Sequence, residues 1–319
     1  MKILLIRLDK IGDLVATLPV DQIPELQGHD VHWAVSEGLG FLPKNAEPAR
    51  RYTEISIEDR AKGEAQLRAL LKEHKFDLAV MFYGPWWVSK TLWTSQLRLR
   101  AGRLSQWHSY LFFNRGLRQS RSQADRHEAT YNLELLLHAL GKPMDPGRLA
   151  PTLHLVTKPL RHLYERFDIT NGGYYVVHPG MAGSALNWPT KRYIELIEKI
   201  KDDKEVVLTG TAMDEPYLAP IKDHFKNDER VQSLQAQLTL DELLFILKSS
   251  AGVIAPSTGV VHLAASVGAK TVGIYSPVQV HHPKRWGPRG ANVHVLVPAA
   301  PGENCMDEIT VDQVVACLK

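Results

Sequence analysis

Several things are scarce in this sequence, and each scarcity removes a class of protein. Only two of the 319 residues are cysteine, Cys305 and Cys317, so no disulfide framework is expected and a reducing compartment is implied. No Cys/His cluster has zinc spacing. The adjacent pair His281-His282 stands beside Pro283 and reads as loop. No apolar run approaches the ~20 residues of a membrane span. The first residues do not read as a signal peptide either, because Lys2 precedes only Ile3-Leu4-Leu5-Ile6 before Arg7 and Asp9 interrupt. The net charge of +3 is too small to argue for nucleic acid. There is no Gly-x-Gly-x-x-Gly, which disfavours an ordinary dinucleotide oxidoreductase. There is no Asp-x-Asp, and no other carboxylate pair in the late turns looks built to hold Mg²⁺ against a diphosphate, so no metal site is expected.

What remains is ordinary for a globular protein: 44% hydrophobic and 23% charged residues, in a length that suggests about two domains. The most informative stretch is Gly252 to Ser276. A short apolar run to Ala255 meets the turn Pro256-Ser257-Thr258-Gly259. A helical pattern from Val260 to Val267 follows, stopped at Gly268, and then a β-branched run from Thr271 to Tyr275. Strand, turn, helix, strand is the sequence form of a βαβ unit. Gly259 permits close backbone approach, and Ser257 and Thr258 can cap the helix or meet a ligand oxygen. The helix start favours an anion, at about 0.3–1 kcal/mol. An ordinary capped helix explains that turn equally well, and His262 could be a satisfied core histidine.

Other strands end the same way. Met1 to Leu8 leads into Asp9-Lys10-Ile11-Gly12-Asp13, where ligands sit in an open α/β sheet. Asp13 is either a helix-start acid complementing the dipole or a catalytic carboxylate. Further strands are expected at 31–35, 52–57 and 77–82, with helices at 61–72, 88–99 and 130–140. Residues 143–160 hold four prolines and no periodicity. A second series begins with Tyr174 to Val177, ending in His178-Pro179-Gly180-Met181-Ala182-Gly183-Ser184, and Glu205 to Leu208, ending in Thr209-Gly210-Thr211. Three small, amide-exposing turns on one sheet edge make a stronger phosphate signal than any one alone. Strands alternating with helices in two similar halves predict two Rossmann-like, doubly wound domains facing across a cleft, 1–165 and 166–319. The last helix, 309–318, has no assigned packing and is free to return to the first half. Between Lys90 and Arg126, eight basic residues face the single acid Asp125, interleaved with aromatics. This is either a solvated face or an anion-binding surface.

MKILLIRLDKIGDLVATLP, HPGMAGSALNWPTKRYIEL, APSTGVVHLAASVGAKTVGIYSP and the terminal CMDEITVDQV resemble glycosyltransferase family 9, the ADP-heptose:lipopolysaccharide heptosyltransferases. The likeness covers the first ~20 residues and most of 175–317. It implies a GT-B fold and an inverting, metal-independent transfer from an ADP-linked sugar to a saccharide of the lipopolysaccharide-core type. It implies no cofactor beyond that donor substrate. It further implies a cytoplasmic protein with peripheral contact at the inner membrane, where the acceptor is an anionic, lipid-linked saccharide. By position, Asp13 matches the general base. Thr258, Gly259 and His262, with Ser257 beside them, match the nucleotide-diphosphate segment. Met181, Ala182, Gly183 and Ser184 match the phosphate turn, with Thr209 and Gly210 in the next one, and Glu215 falls near the ribose. Arg7, Lys10, Arg98, Arg100 and Arg103 are the candidates for the acceptor. Ser257 stands where the family has Asp, and Leu186-Asn187 where it has a basic residue, leaving Lys191 or Arg192 to supply that charge. A binding protein that keeps the fold without catalysis is the alternative reading.

Overall fold

Apolar runs too short to be helices set the architecture. In the computed structural model, which describes residues 1–181 and 186–319, they become twelve strands in two parallel sheets. The first holds β1 (Lys2–Arg7), β2 (Asp30–Ser36), β3 (Tyr52–Ile55), β4 (Leu78–Tyr83), β5 (Leu99–Arg103) and β6 (Arg115–Leu117), in the order β3-β2-β1-β4-β5-β6. The second holds β7 (Tyr174–Val177), β8 (Glu205–Leu208), β9 (Val231–Ser233), β10 (Gly252–Pro256), β11 (Thr271–Ile274) and β12 (Val293–Leu296), in the order β12-β11-β10-β7-β8-β9. Strands buried on both faces read as continuous apolar runs. Ile3 to Ile6 and Val176 to Val177 are fully buried for that reason.

In each sheet the strand order reverses once. β1 pairs with β2 on one side and β4 on the other. β10 pairs with β11 and with β7. Connections leave in opposite directions at these two places and open a crevice outside the carboxyl ends of the strands. The turns after β1 and β4 flank one crevice, and the turns after β7 and β10 flank the other.

Helices cover the sheets through their apolar stripes. In the first unit Leu67, Leu70 and Leu71 of the Arg60–His74 helix and Val88 and Leu92 of the Trp86–Thr94 helix pack on Leu4, Ile6 and Ala79. In the second, Leu196, Ile197 and Ile200 of the Thr190–Ile200 helix pack with Val206, Leu208 and Ile254. Full burial of such side chains contributes about 1.5–3 kcal/mol each.

The observed bounds differ from expectation in two places. The helix expected over 88–99 ends at Thr94, because Leu99 opens β5, paired with Leu78 of β4. β5 and β6 carry Arg100, Gly102 and Gly116 and lack an apolar run. The chain divides into compact units at Met1–Leu153 and His154–Lys319, ahead of the expected residue 165, because the Leu155 amide donates to the Ser266 carbonyl. The last helix, Val311–Leu318, for which the sequence assigned no packing, belongs to the second unit. It buries Val314 and Leu318 in the core of the second sheet. Among the described residues, no helix is long and apolar enough to cross a membrane.

Candidate active site

Arg7 is the last residue of β1 and is only 2% exposed. A buried guanidinium requires acids, and it has three. Nε donates to Asp9 Oδ1 at 2.8 Å, Nη2 to Asp13 Oδ1 at 2.5 Å, and Nη1 to Glu128 Oε1 at 3.5 Å. Burial opposes its charge, but Asp9, Asp13 and Glu128 outweigh that and hold it firmly protonated. Asp13 lies in the first turn of the Ile11–Val15 helix. Its side chain keeps 22% exposure, against 13% for Asp9 and 2% for Glu128. It is therefore the acid of this group best placed to meet a substrate. Arg7 was a candidate for the acceptor on sequence. Its burial removes it from that role and gives it the role of holding Asp13. Lys10 does remain exposed at the start of the same helix.

Beyond β4 and β5 lies a cavity of about 300 Å³ lined by Tyr83, Trp86, Arg103, Gln106, His108 and Phe113, among others. Arg103 thus faces an open site. Arg100 does not. Its Nε donates to the Phe112 carbonyl at 2.8 Å and its Nη1 to the Leu97 carbonyl, so it ties the Trp107–Phe112 helix to β5. Other members of the basic segment are likewise internal. Arg115 donates to the Ala139 carbonyl, and Arg121 is buried against Glu128, Asn132 and Gln119. Arg126 pairs with Glu134. Lys90 and Arg98 stay exposed, and Arg118 donates to the Tyr110 hydroxyl at 2.7 Å. The basic segment is therefore only in part a surface.

In the second unit the turn after β10 places Thr258 as N-cap of the Gly259–Ser266 helix without a side-chain cap bond. Its Oγ1 is shielded from solvent and has no hydrogen-bond partner among the described residues, a costly arrangement unless a ligand completes it. Ser257 hydrogen-bonds with Tyr275. His262 is buried within the helix. After β7, His178 is buried and lies 3.1 Å from Thr209 Oγ1 through Nδ1. Burial lowers its pKa to about 4, with Asp214 pulling partly the other way, so the imidazole is neutral at neutral pH. Met181 is buried, while Ala182, Gly183 and Ser184 lie outside the described residues. Glu215 is exposed at the start of the Glu215–His224 helix and pairs with Lys222 at 2.7 Å. Asn187 Nδ2 donates to the Pro179 carbonyl at 2.7 Å. Arg192 pairs with Glu195 and Asp307, and the more exposed Lys191 pairs with the same Asp307 oxygen at 3.4 Å.

Sequence reasoning missed four residues. Thr17, Glu128 and Asn132 surround Asp13 from two helical segments, and nothing local in the sequence joins them. Asp214 was findable, because Thr211-x-x-Asp214 is a capping box. Its Oδ2 accepts from Thr211 N and Oγ1, each at 2.8 Å. It also packs where a Cβ on Gly180 would come within 2.2 Å of its Cγ, so only glycine fits at 180.

The crowding around Arg7 makes a pH prediction. Burial raises Asp9 to about 6 from 3.8, Arg7 pulls it back in part, and Asp13 raises it further. A carboxyl raised on folding favours the folded state fully below its unfolded pKa and loses that contribution as pH rises through the folded value. Wild type should therefore lose up to about 3 kcal/mol from this group between pH 4 and 6. Asp9→Asn should not. The stability difference between variant and wild type, followed by urea unfolding, should move in the variant's favour across that window and level off above it. A pH-independent difference contradicts the assignment.

A family model for glycosyltransferase family 9 (heptosyltransferase) matches residues 65–314, so Asp13 lies outside the matched span. A protein of Haemophilus influenzae, assigned provisionally by its name to the glycosyltransferases, is 27% identical over 331 residues, covering 99% of this chain and 95% of its own. Among solved structures, E. coli ADP-heptose lps heptosyltransferase II superposes with a TM-score of 0.79 at 19% identity, over 100% of this chain and 97% of that one. The E. coli heptosyltransferase WaaC, solved with ADP, gives 0.73 at 20% identity, over 99% and 98%. The two Rossmann-like units are thus GT-B-like. With a family match spanning most of its length, the chain belongs to glycosyltransferase family 9 and is a glycosyltransferase.

Proposed function

We propose that this chain transfers a heptose, with inversion, from an ADP-linked donor to a lipopolysaccharide-core-type saccharide, and that Asp13 is the general base. The observation that carries the reading is the Asp13 carboxylate. It stands at the switch point of the first sheet, gripped by a buried arginine and still open to solvent. Such a carboxylate can take the proton of an acceptor hydroxyl as the new glycosidic bond forms and the nucleoside diphosphate leaves. General base catalysis typically contributes ~10²–10⁴-fold. One structural relative is an ADP-heptose lps heptosyltransferase and another was solved with ADP, which supports that donor here. A non-catalytic binding protein would have no use for an aimed carboxylate.

In the second unit, the Ser257–Gly259 turn offers the leaving diphosphate amide and hydroxyl donors, preorganised for developing charge. The partnerless Thr258 hydroxyl suits one of its oxygens. Glu215, beside the Thr209-Gly210 turn, suits the ribose. In the first unit, the cavity beside Arg103 offers a cation, aromatic walls and polar side chains, which suits an acidic sugar. Beside it the Trp107–Phe112 helix exposes Trp107 (79%), Tyr110 and Leu111, with Arg98, Lys90 and Arg118 around the same segment. Aromatic and basic groups together suit an anionic membrane face.

Asp13→Asn preserves shape and removes the proton acceptor. Turnover of ADP-heptose with deacylated lipopolysaccharide core should fall at least ~10²-fold with ADP affinity unchanged, and wild-type turnover in this variant would sink the base assignment.

Thr258→Val removes one hydroxyl at nearly constant volume. ADP affinity by calorimetry should weaken by about 1–3 kcal/mol if that hydroxyl meets a charged oxygen. An unchanged affinity places the phosphates elsewhere.

Vesicles containing anionic phospholipid should co-float the protein at low salt and release it near 0.5 M, where screening acts within ~5 Å. Replacing Trp107, Tyr110 and Leu111 together by Ala should abolish co-flotation without changing the unfolding midpoint. Flotation that survives the triple change removes this helix from the membrane reading.

A further inference from the structure

The hydrogen bonds around Asp13 close into a ring. Arg7 Nη2 donates to Asp13 Oδ1 at 2.5 Å, and Arg7 Nη1 reaches Glu128 Oε1 at 3.5 Å. The same Glu128 oxygen accepts from Arg121 Nη1, which also donates to Asn132 Oδ1 at 3.0 Å. Asn132 Nδ2 donates to Thr17 Oγ1 at 2.9 Å. Thr17 Oγ1 donates in turn to the Asp13 backbone carbonyl at 2.7 Å. The path leaves Asp13 by its carboxylate and returns by its main chain. Glu128 and Asn132 stand four residues apart in the Glu128–Leu140 helix, and so share one face of it.

Thr17, Asn132, Glu128, Arg7 and Arg121 are all buried. Only the Asp13 carboxylate and, to a lesser degree, Asp9 reach the surface. Stability does not account for such a group. Replacing a buried ion pair or triad by apolar side chains of similar volume is often neutral or stabilising, and several buried polar atoms must all find partners for the network to break even. A base, by contrast, gains from being held. A displacement of about 1 Å can cost ~10²-fold in rate. Two independent holds on one residue, one on its carboxylate and one on its carbonyl, suppress both rotation of the side chain and movement of the short helix that carries it.

We infer that Thr17, Asn132, Glu128, Arg121 and Arg7 form a positioning ring that fixes Asp13 from both its carboxylate and its backbone. This rests on the reading of Asp13 as general base. Arg7 and Glu128 form the charged leg, and Thr17 and Asn132 the neutral one. None of the five buried groups needs to touch substrate.

Thr17→Val is the direct test, since it keeps the volume and breaks the neutral leg. With ADP-heptose and deacylated lipopolysaccharide core, kcat should fall about 10–100-fold. Both KM values and ADP affinity should stay within about 2-fold. Thr17→Ser restores the hydroxyl and should recover most of the loss. Glu128→Gln keeps the side-chain shape, weakens the charged leg, and should also lower kcat by about 10-fold or more; it carries the test if Thr17→Val does not fold. A second readout needs no turnover: crystal structures of wild type and Thr17→Val should show the Asp13 carboxylate displaced by about 0.5 Å or more. An unmoved carboxylate, or kcat within about 3-fold of wild type in both folded variants while Asp13→Asn is inactive, overturns the ring alone. Wild-type turnover by Asp13→Asn overturns the base reading itself.

Discussion

A guanidinium sealed at the end of the first strand constrains much of the N-terminal unit. Arg7 cannot be solvated there, and an isolated buried charge would cost far more than the fold could spare. Its acids come from two distances along the chain. Asp9 and Asp13 follow two and six residues on, and Glu128 arrives from a helix more than a hundred residues later. The requirement therefore fixes a local loop and a remote helix at once. It docks the Glu128–Leu140 helix, whose Leu133, Leu135, Leu136 and Leu137 are fully buried, and it sets the segment that presents Asp13. Core packing and site geometry in this unit share one electrostatic cause.

On the proposed reading, the second unit meets its anion without such a cluster among the described residues. Its turns after β7, β8 and β10 carry glycine, threonine and serine, and hydrogen bonds hold the described residues beneath the first two. Asp214 gathers the Thr211 amide and hydroxyl and leaves no space for a side chain at Gly180. Asn187 holds the Pro179 carbonyl from the far side of the same loop. Neutral donors suit a leaving diphosphate, because they stabilise developing charge without binding the ground state as tightly as fixed cations would. The commitment of Arg192 to Asp307 and Glu195 fits that division.

The fold was legible wherever burial wrote a pattern. β1, β2, β4, β7, β10 and β11 are apolar on both faces, and each was read within a residue or two of its observed ends. β5 and β6 were not read, because they carry half-exposed residues such as Arg100 and Arg115 and have no apolar period to detect. The turns after β1, β7, β8 and β10 were legible as glycine and hydroxyl clusters, so the places that present Asp13 and Thr258 were found. What surrounds Asp13 was not, since Thr17, Glu128 and Asn132 meet only through tertiary contact. The family likeness of the opening motif pointed to Asp13 and was silent about its supports.

The basic segment shows why charge counting misleads. Eight cations against one acid look like a surface built for anions. Arg121 instead faces Glu128 and Asn132, Arg115 caps the carboxyl end of a helix through the Ala139 carbonyl, and Arg100 laces β5 to the next helix. The acids and carbonyls that neutralise these arginines lie outside the window in which they were counted, or in the backbone, where no count registers them. Arginine serves this purpose better than lysine, because its planar fork can satisfy two or three acceptors at once while still charged. Removing Arg100, Arg115 and Arg121 leaves Lys90, Arg98, Arg103, Arg118 and Arg126, of which Arg126 pairs with Glu134, Arg118 lies against Tyr110 of one short helix and Arg103 lines the cavity beside it. A smaller set of cations beside apolar side chains makes a more specific anionic target than a broad positive face. Long-range attraction falls away within about 8 Å at physiological salt, so contact geometry then decides what binds.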